Sequence, residues 1–176
     1  MLTDLIMRVR TPYMLIVSLL VIAGCKEKHS AIREHINKPE NGYIKNIETD
    51  EYSLSIQYQP PSYGADQEMM LNKSEAKKSE LISEYDNLQQ FTVKFTVKKG
   101  QDYPGDFGNM EKFNLLKEDT IPCIDAHQLQ YNPGAPFQEM ILLFPLTEKE
   151  LGKEFTMIIS DFPFNDTKHT INYSLN

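Results

Sequence analysis

An antiparallel β-sandwich, mostly β, with immunoglobulin-like topology and one inserted amphipathic helix, is predicted by three features of the 176-residue sequence. Several segments alternate apolar and polar residues, one charged stretch has helical spacing, and Pro and Gly punctuate the chain between them. Tyr52, Leu54, Ile56 and Tyr58 alternate with Ser53, Ser55, Gln57 and Gln59; Phe91, Val93, Phe95 and Val97 alternate with Thr92, Lys94, Thr96 and Lys98. Alternation leaves one face of each strand apolar and the other wet, which antiparallel sheets accommodate and parallel sheets, covered on both faces, do not.

In chain order the expected strands are 43–47, 52–59, 91–98, 121–131, 138–146, 155–160 and 171–175. The fifth and sixth are nearly continuous apolar runs, and the last alternates again through Ile171, Tyr173 and Leu175. Between the second and third strands, 66–90 is rich in Glu, Lys, Met and Leu. Its second half places Leu81, Tyr85 and Leu88 at i, i+4 and i+7, the spacing of an amphipathic helix. A shorter helical turn is expected over 109–117, from Met110, Phe113 and Leu116. Pro60-Pro61, Gly100, Pro104-Gly105, Pro133-Gly134 and Pro163 mark the turns, and no internal repeat is present.

The first 25 residues have a different character. Asp4, Arg8 and Arg10 precede an uncharged stretch from Thr11 to Gly24 that ends at Cys25. That stretch is 14 residues long, whereas a helix needs about 20 to cross the hydrocarbon core, so the layout is that of a secretory signal rather than a membrane span. The junction Ile22-Ala23-Gly24-Cys25 resembles the lipobox of bacterial lipoproteins. The resemblance implies diacylglycerol on the Cys25 sulfur, cleavage before it and, in most Gram-negative bacteria, a third acyl chain on the new amino terminus. Two or more acyl chains hold stably, since each buried CH₂ contributes about 0.8 kcal/mol. Lys26, in place of aspartate, implies by the sorting rule of enteric bacteria an outer-membrane anchor facing the periplasm or the cell surface. The expected organisation is therefore 1–24 signal peptide, 25–41 acylated terminus and polar spacer, and 42–176 sandwich.

A lipobox, a Tyr-x-Leu-x-Ile strand at Tyr52 leading into Pro60-Pro61-Ser62-Tyr63, a charged helix, the Phe91-x-Val93-x-Phe95 strand and a carboxyl-terminal strand pair together resemble the small lipoproteins of unknown function common in Bacteroidota. The resemblance implies an envelope location and brings no activity.

Charge excludes some partners. The loss of Arg8, Arg10 and Asp4 from 18 basic and 25 acidic side chains leaves 16 and 24, a net charge of −8 over 152 residues. Such a body is repelled by phosphodiester backbones and anionic head groups, so nucleic acid is not an expected partner. A domain of about 150 residues buries close to 70 % of its unfolded surface and needs no disulfide or metal to fold. With Cys25 acylated, Cys123 has no partner thiol, and burial is expected to protect it. The Gly-x-Ser-x-Gly elbow, the Gly-x-x-x-x-Gly-Lys phosphate loop and the His-Glu-x-x-His zinc motif are all missing from the sequence. His29, His35, His127 and His169 form no zinc set by spacing, so no metal or cofactor is expected.

Three constellations bear weighing. Cys123, Asp125 and His127 are catalytic residue types on one side of a strand, but the cysteine and histidine would stand about 13 Å apart in an extended chain, too far for proton transfer. The alternative is a buried thiol with two polar edge residues. Asp102 and Asp106 could offer oxygens to calcium, yet an EF-hand counted from either places Phe113 or Lys117 where a bidentate glutamate belongs. Tyr63, Tyr103, Phe107, Phe162 and Phe164 lie beside prolines and glycines in expected loops. There they either form a contact surface or fold back to plug the ends of the sandwich.

The function expected from these features is a membrane-anchored, non-catalytic module that binds or scaffolds another envelope protein. The alternatives are a lipoprotein that binds a small ligand or glycan, and an envelope hydrolase assembled from distant loops. A concave apolar pocket with convergent polar groups would favour a ligand, and a flat exposed apolar patch a protein.

Overall fold

The computed structural model describes residues 31–72, 78–98, 109–129, 137–162 and 167–176. Nine strands occur among them: β1 (Ile44–Glu48), β2 (Tyr52–Gln59), β3 (Gln89–Val97), β4 (Phe113–Leu116), β5 (Thr120–Pro122), β6 (Asp125–Gln128), β7 (Gln138–Phe144), β8 (Glu154–Phe162) and β9 (Thr167–Ser174). The helices are α1 (31–37), α2 (Pro61–Asn72), α3 (Lys78–Tyr85) and α4 (Glu148–Leu151). None is long and apolar enough to cross a membrane.

All pairings are antiparallel. A five-stranded sheet runs β1-β2-β3-β7-β6 and a four-stranded sheet runs β5-β4-β8-β9. Successive hairpins alternate between the two layers: β2–β3 and β6–β7 in the first, β4–β5 and β8–β9 in the second. That is the immunoglobulin-like connectivity the sequence predicts, with β1 added outside β2.

The predicted alternation sets the core. Leu54, Ile56, Tyr58, Phe91, Val93 and Phe95 from the first sheet meet Phe113, Leu115, Phe155, Met157 and Ile159 from the second, all buried. Each fully buried apolar side chain contributes about 1.5–3 kcal/mol. Phe91 stands at the centre, edge-on to Phe144, Phe155 and Tyr173, with ring centroids 5.5–5.9 Å away.

Several local expectations are corrected. Over 109–117 the chain forms a 3₁₀ turn (Met110–Lys112) and then β4, not a helix. Pairing of Phe113 and Leu115 with β8 buries both, and a short isolated helix has no comparable packing to offer. The single strand expected over 121–131 is two short strands: β5 belongs to one sheet and β6 to the other, and Cys123 lies at the crossing. The helical stretch begins earlier, at Pro61, because proline suits the first position of a helix, where its missing N–H is no loss. One compact unit spans Ile36–Asn176. Ile36 is 1 % exposed, and Asn41 and Glu40 accept hydrogen bonds from the backbone and side chain of Asn176.

The strand registers define two ends. At the helical end, β1 begins, β9 finishes, and the β2–β3, β4–β5 and β7–β8 connections lie, with α2, α3 and α4 among them. At the far end lies the β1–β2 connection, and there β3, β6 and β8 finish and β4, β7 and β9 begin. The chain thus joins the sandwich at the helical end, beside its own carboxyl terminus.

Candidate functional site

Among the described residues, two clefts open at the helical end, one on each side of the β7–β8 connection. The smaller, about 420 Å³, is lined by Tyr43, Tyr58, Asp86, Glu148, Lys149, Gly152, Lys153 and Leu175. Local signals fix its acidic residues. Thr147 caps α4 by accepting from the Glu150 amide at 3.2 Å, while the Glu150 carboxylate accepts from the Thr147 amide at 2.7 Å. This reciprocal capping box holds Glu148 at the first helical position. Asp86, in the turn after α3, accepts from the Glu148 amide at 3.0 Å, which ties the β2–β3 connection to the β7–β8 connection.

Electrostatics follow from that closeness. Burial, and then the Asp86 charge, push the Glu148 carboxyl above the usual carboxylate range, so it keeps a proton to higher pH than a free glutamate. Tyr43 is raised by burial and then by Glu148. Behind it Tyr58 lies parallel at 6.0 Å and donates to Gln89 Oε1 at 2.7 Å. The amide of Gln89 donates to the carbonyls of Asp86 and Leu146, both at 3.0 Å, so one buried side chain joins both connections to the floor of the cleft. The smaller cleft therefore brings together two carboxyl groups, two lysine ammonium groups and an aromatic ring.

The larger cleft, about 900 Å³, lies between the β4–β5 turn and the β7–β8 connection and runs to the end of β9. Leu116, Ile121, Pro145 and Leu146 give it apolar surface; Lys117, Glu118, Asp119, Glu150 and Glu154 give it charge. Lys117 Nζ donates to the Glu150 carbonyl at 3.0 Å and so spans the cleft.

The structure places the sequence-predicted residues as follows. Tyr63 is not on a loop: it lies in α2, buried, because the helix starts at Pro61. It contributes packing rather than contact surface. Phe162 is the last residue of β8 and pairs with Thr167. Tyr103, Phe107 and Phe164 lie outside the described residues, within connections whose flanking strands meet the far end. Asp102 and Asp106, and Ile22, Ala23, Gly24 and Cys25, also lie outside the described residues.

Cys123, Asp125 and His127 do not form a nucleophilic set. The Cys123 thiol is buried and donates to the Asp125 carbonyl at 3.0 Å, and burial pushes its pKa up. His127 Nε2 instead meets the Asp125 carboxylate at 2.8 Å on the exposed edge strand β6. Among the described residues no group of three His, Cys, Asp or Glu side chains could hold a metal ion. Sequence reasoning missed Asp86, Gln89 and Glu148. One usable signal was present: Thr147-x-x-Glu150 is a capping-box pattern that marks α4.

No family model matches the sequence, and no curated protein matches it. Among solved structures the chain is similar to a DUF4426 family protein from Pseudomonas aeruginosa, with 12 % identity and a TM-score of 0.39, over 76 % of this chain and 94 % of that one.

Proposed function

We propose that this chain is a membrane-anchored envelope lipoprotein, held in the outer membrane by acyl chains on Cys25, whose sandwich is a non-catalytic module that binds or scaffolds another envelope protein. The observation that carries the reading is where the chain joins the fold. Ile36, the first residue of the compact unit, follows the lipobox cysteine by eleven residues and leads into the helical end. Residues 31–36 are helical within α1, so the tether is shorter than the about 40 Å that eleven extended residues would span. A body of net charge −8 is held close to the bilayer by lipid while its charge keeps it off anionic head groups. Leu116 at the end of β4 and Ile124 in the β5–β6 link, 39 % and 48 % exposed, leave apolar surface for a partner.

The test is crosslinking in intact cells from photoreactive residues placed at each end of the sandwich, in the wild type and in Cys25→Ser. The reading expects a discrete envelope protein captured by the wild type and lost from the released form. Equal capture by both forms, or none by the wild type, would overturn it.

The smaller cleft favours a second reading, a small-ligand or glycan site, because Tyr43, the Asp86 and Glu148 carboxyls and two lysines converge there. Titration with neutral and amino sugars should then show binding that Glu148→Ala abolishes. Binding unchanged in that variant would remove the cleft from consideration.

A further inference from the structure

The larger cleft combines apolar surface with a rim of one dominant sign. Glu118 and Asp119 stand on the β4–β5 turn, Glu150 ends the capping box and Glu154 begins β8; all four are exposed. The single lysine on this rim, Lys117, is committed to the Glu150 carbonyl. Between these charges Leu116 faces outward: its neighbours Phe113 and Leu115 point into the core, and Leu116 is left 39 % exposed. Ile121 pairs with Leu115 and is half-buried on the core-facing side of the hairpin, and Pro145 is exposed on the opposite wall. A volume of about 900 Å³ is large for a bound ion and lies near the top of the range for ligand clefts, about 300–1,000 Å³.

We propose that this cleft is the docking site for a basic peptide segment of the partner protein, with Lys or Arg side chains on the acidic rim and at least one apolar side chain against Leu116. The proposal rests on the protein-binding function proposed above and names its surface and the chemistry of its partner. Charge complementarity selects the occupant. Four carboxylates, one of them (Glu150) already hydrogen-bonded to Thr147, outnumber the single ammonium of Lys117, so the rim repels nucleic acid, anionic lipid and a second copy of this acidic chain and attracts a cationic segment. The apolar surface distinguishes such a segment from a simple polycation: the rim speeds and steers encounter, and the contact with Leu116 prolongs it.

The test uses the acylated full-length protein in neutral detergent. The probes are a fluorescent heptapeptide of alternating Lys and Leu, its Glu-for-Lys counterpart, and spermine as a competitor without apolar groups. Binding of the basic peptide is expected to weaken ten-fold or more in Glu118→Lys/Asp119→Lys, and to weaken in Leu116→Asn at every salt concentration. Glu84→Lys/Glu111→Lys, which changes net charge equally at other exposed sites, should retain most of the affinity. Equal weakening in both double variants would show attraction by net charge alone and overturn the proposal. So would binding of the acidic peptide, full displacement by spermine at equivalent charge, or dimerisation through the cleft. Crosslinking in cells separates the two levels. If Glu118→Lys/Asp119→Lys still captures the wild-type partner, the docking site is wrong and the binding function stands; if the wild type captures nothing, the binding function itself falls.

Discussion

The hydroxyl of Tyr52 lies 2.6 Å from Nε2 of His169 and joins β2 of one sheet to β9 of the other. The two rings meet edge to face, with centroids 6.1 Å apart. Burial lowers the pKa of His169, so the folded state favours the neutral ring, whose Nε2 can accept a hydrogen bond from the Tyr52 hydroxyl.

This linkage gives a pH dependence of known sign. Between the ordinary histidine value near 6.5 and the lowered value in the fold, the unfolded chain binds more protons than the folded one. The contribution is complete above about pH 6.5 and is lost as pH falls through the folded value. Urea midpoints should decline on acidification from pH 7.5 to 5, and His169→Gln should decline less steeply. An identical slope in that variant would remove His169 from the account.

Gln89 is a buried polar residue with three partners: the Tyr58 hydroxyl and the carbonyls of Asp86 and Leu146. Gln89→Leu keeps the volume but leaves those groups unsatisfied, at about 1–3 kcal/mol for each that water cannot reach. Adding Tyr58→Phe should recover part of the loss, because it removes one orphaned group. Equilibrium denaturation of the two variants measures both effects; no recovery in the double variant would contradict the assignment.

Gly42 has φ +79°, and a Cβ there would collide with the carbonyl oxygen of Ser174. Gly42→Ala is expected to destabilise the protein by about 1–3 kcal/mol through the left-handed backbone alone. It should also loosen the contact between the incoming chain and β9, seen as faster amide exchange at Leu175 and Asn176. Unchanged protection at those amides would mean the two termini are not coupled.

Cys123 is the sole thiol in Cys25→Ser. Its burial, its raised pKa and its bond to the Asp125 carbonyl make it slow to react in the folded state. A disulfide reagent should label it at least a hundred-fold faster in urea than in buffer at pH 8. Comparable rates in the two conditions would place the thiol at the surface and reopen a reactive role.

Much of the frame is readable from local sequence, because β2 and β3 alternate without interruption and their registers keep Leu54 opposite Phe95 and Ile56 opposite Val93. The short strands are not readable in this way. β4, β5 and β6 have three or four residues each; β4 and β6 exist because Phe113 pairs with Ile159 and Asp125 with Leu143, partners distant in sequence, and β5 then pairs back on β4. Met110, Phe113 and Leu116 mimic a helical stripe, yet the buried pair is Phe113 and Leu115, a period of two. The clefts are harder still. Asp86 and Glu148 are 62 residues apart and meet only because the two connections that carry them converge at one end of the sandwich. The charged rim of the larger cleft looks like ordinary solvated turns until the β4–β5 hairpin and the start of β8 are brought side by side.

Metabolic labelling with an alkyne fatty acid, followed by membrane fractionation, tests the tethered-module account most directly. The wild type should carry the label and sediment with the outer membrane, while Cys25→Ser should be unlabelled and released. Equal labelling of both forms, or a wild-type chain recovered with a free thiol at Cys25, would contradict it.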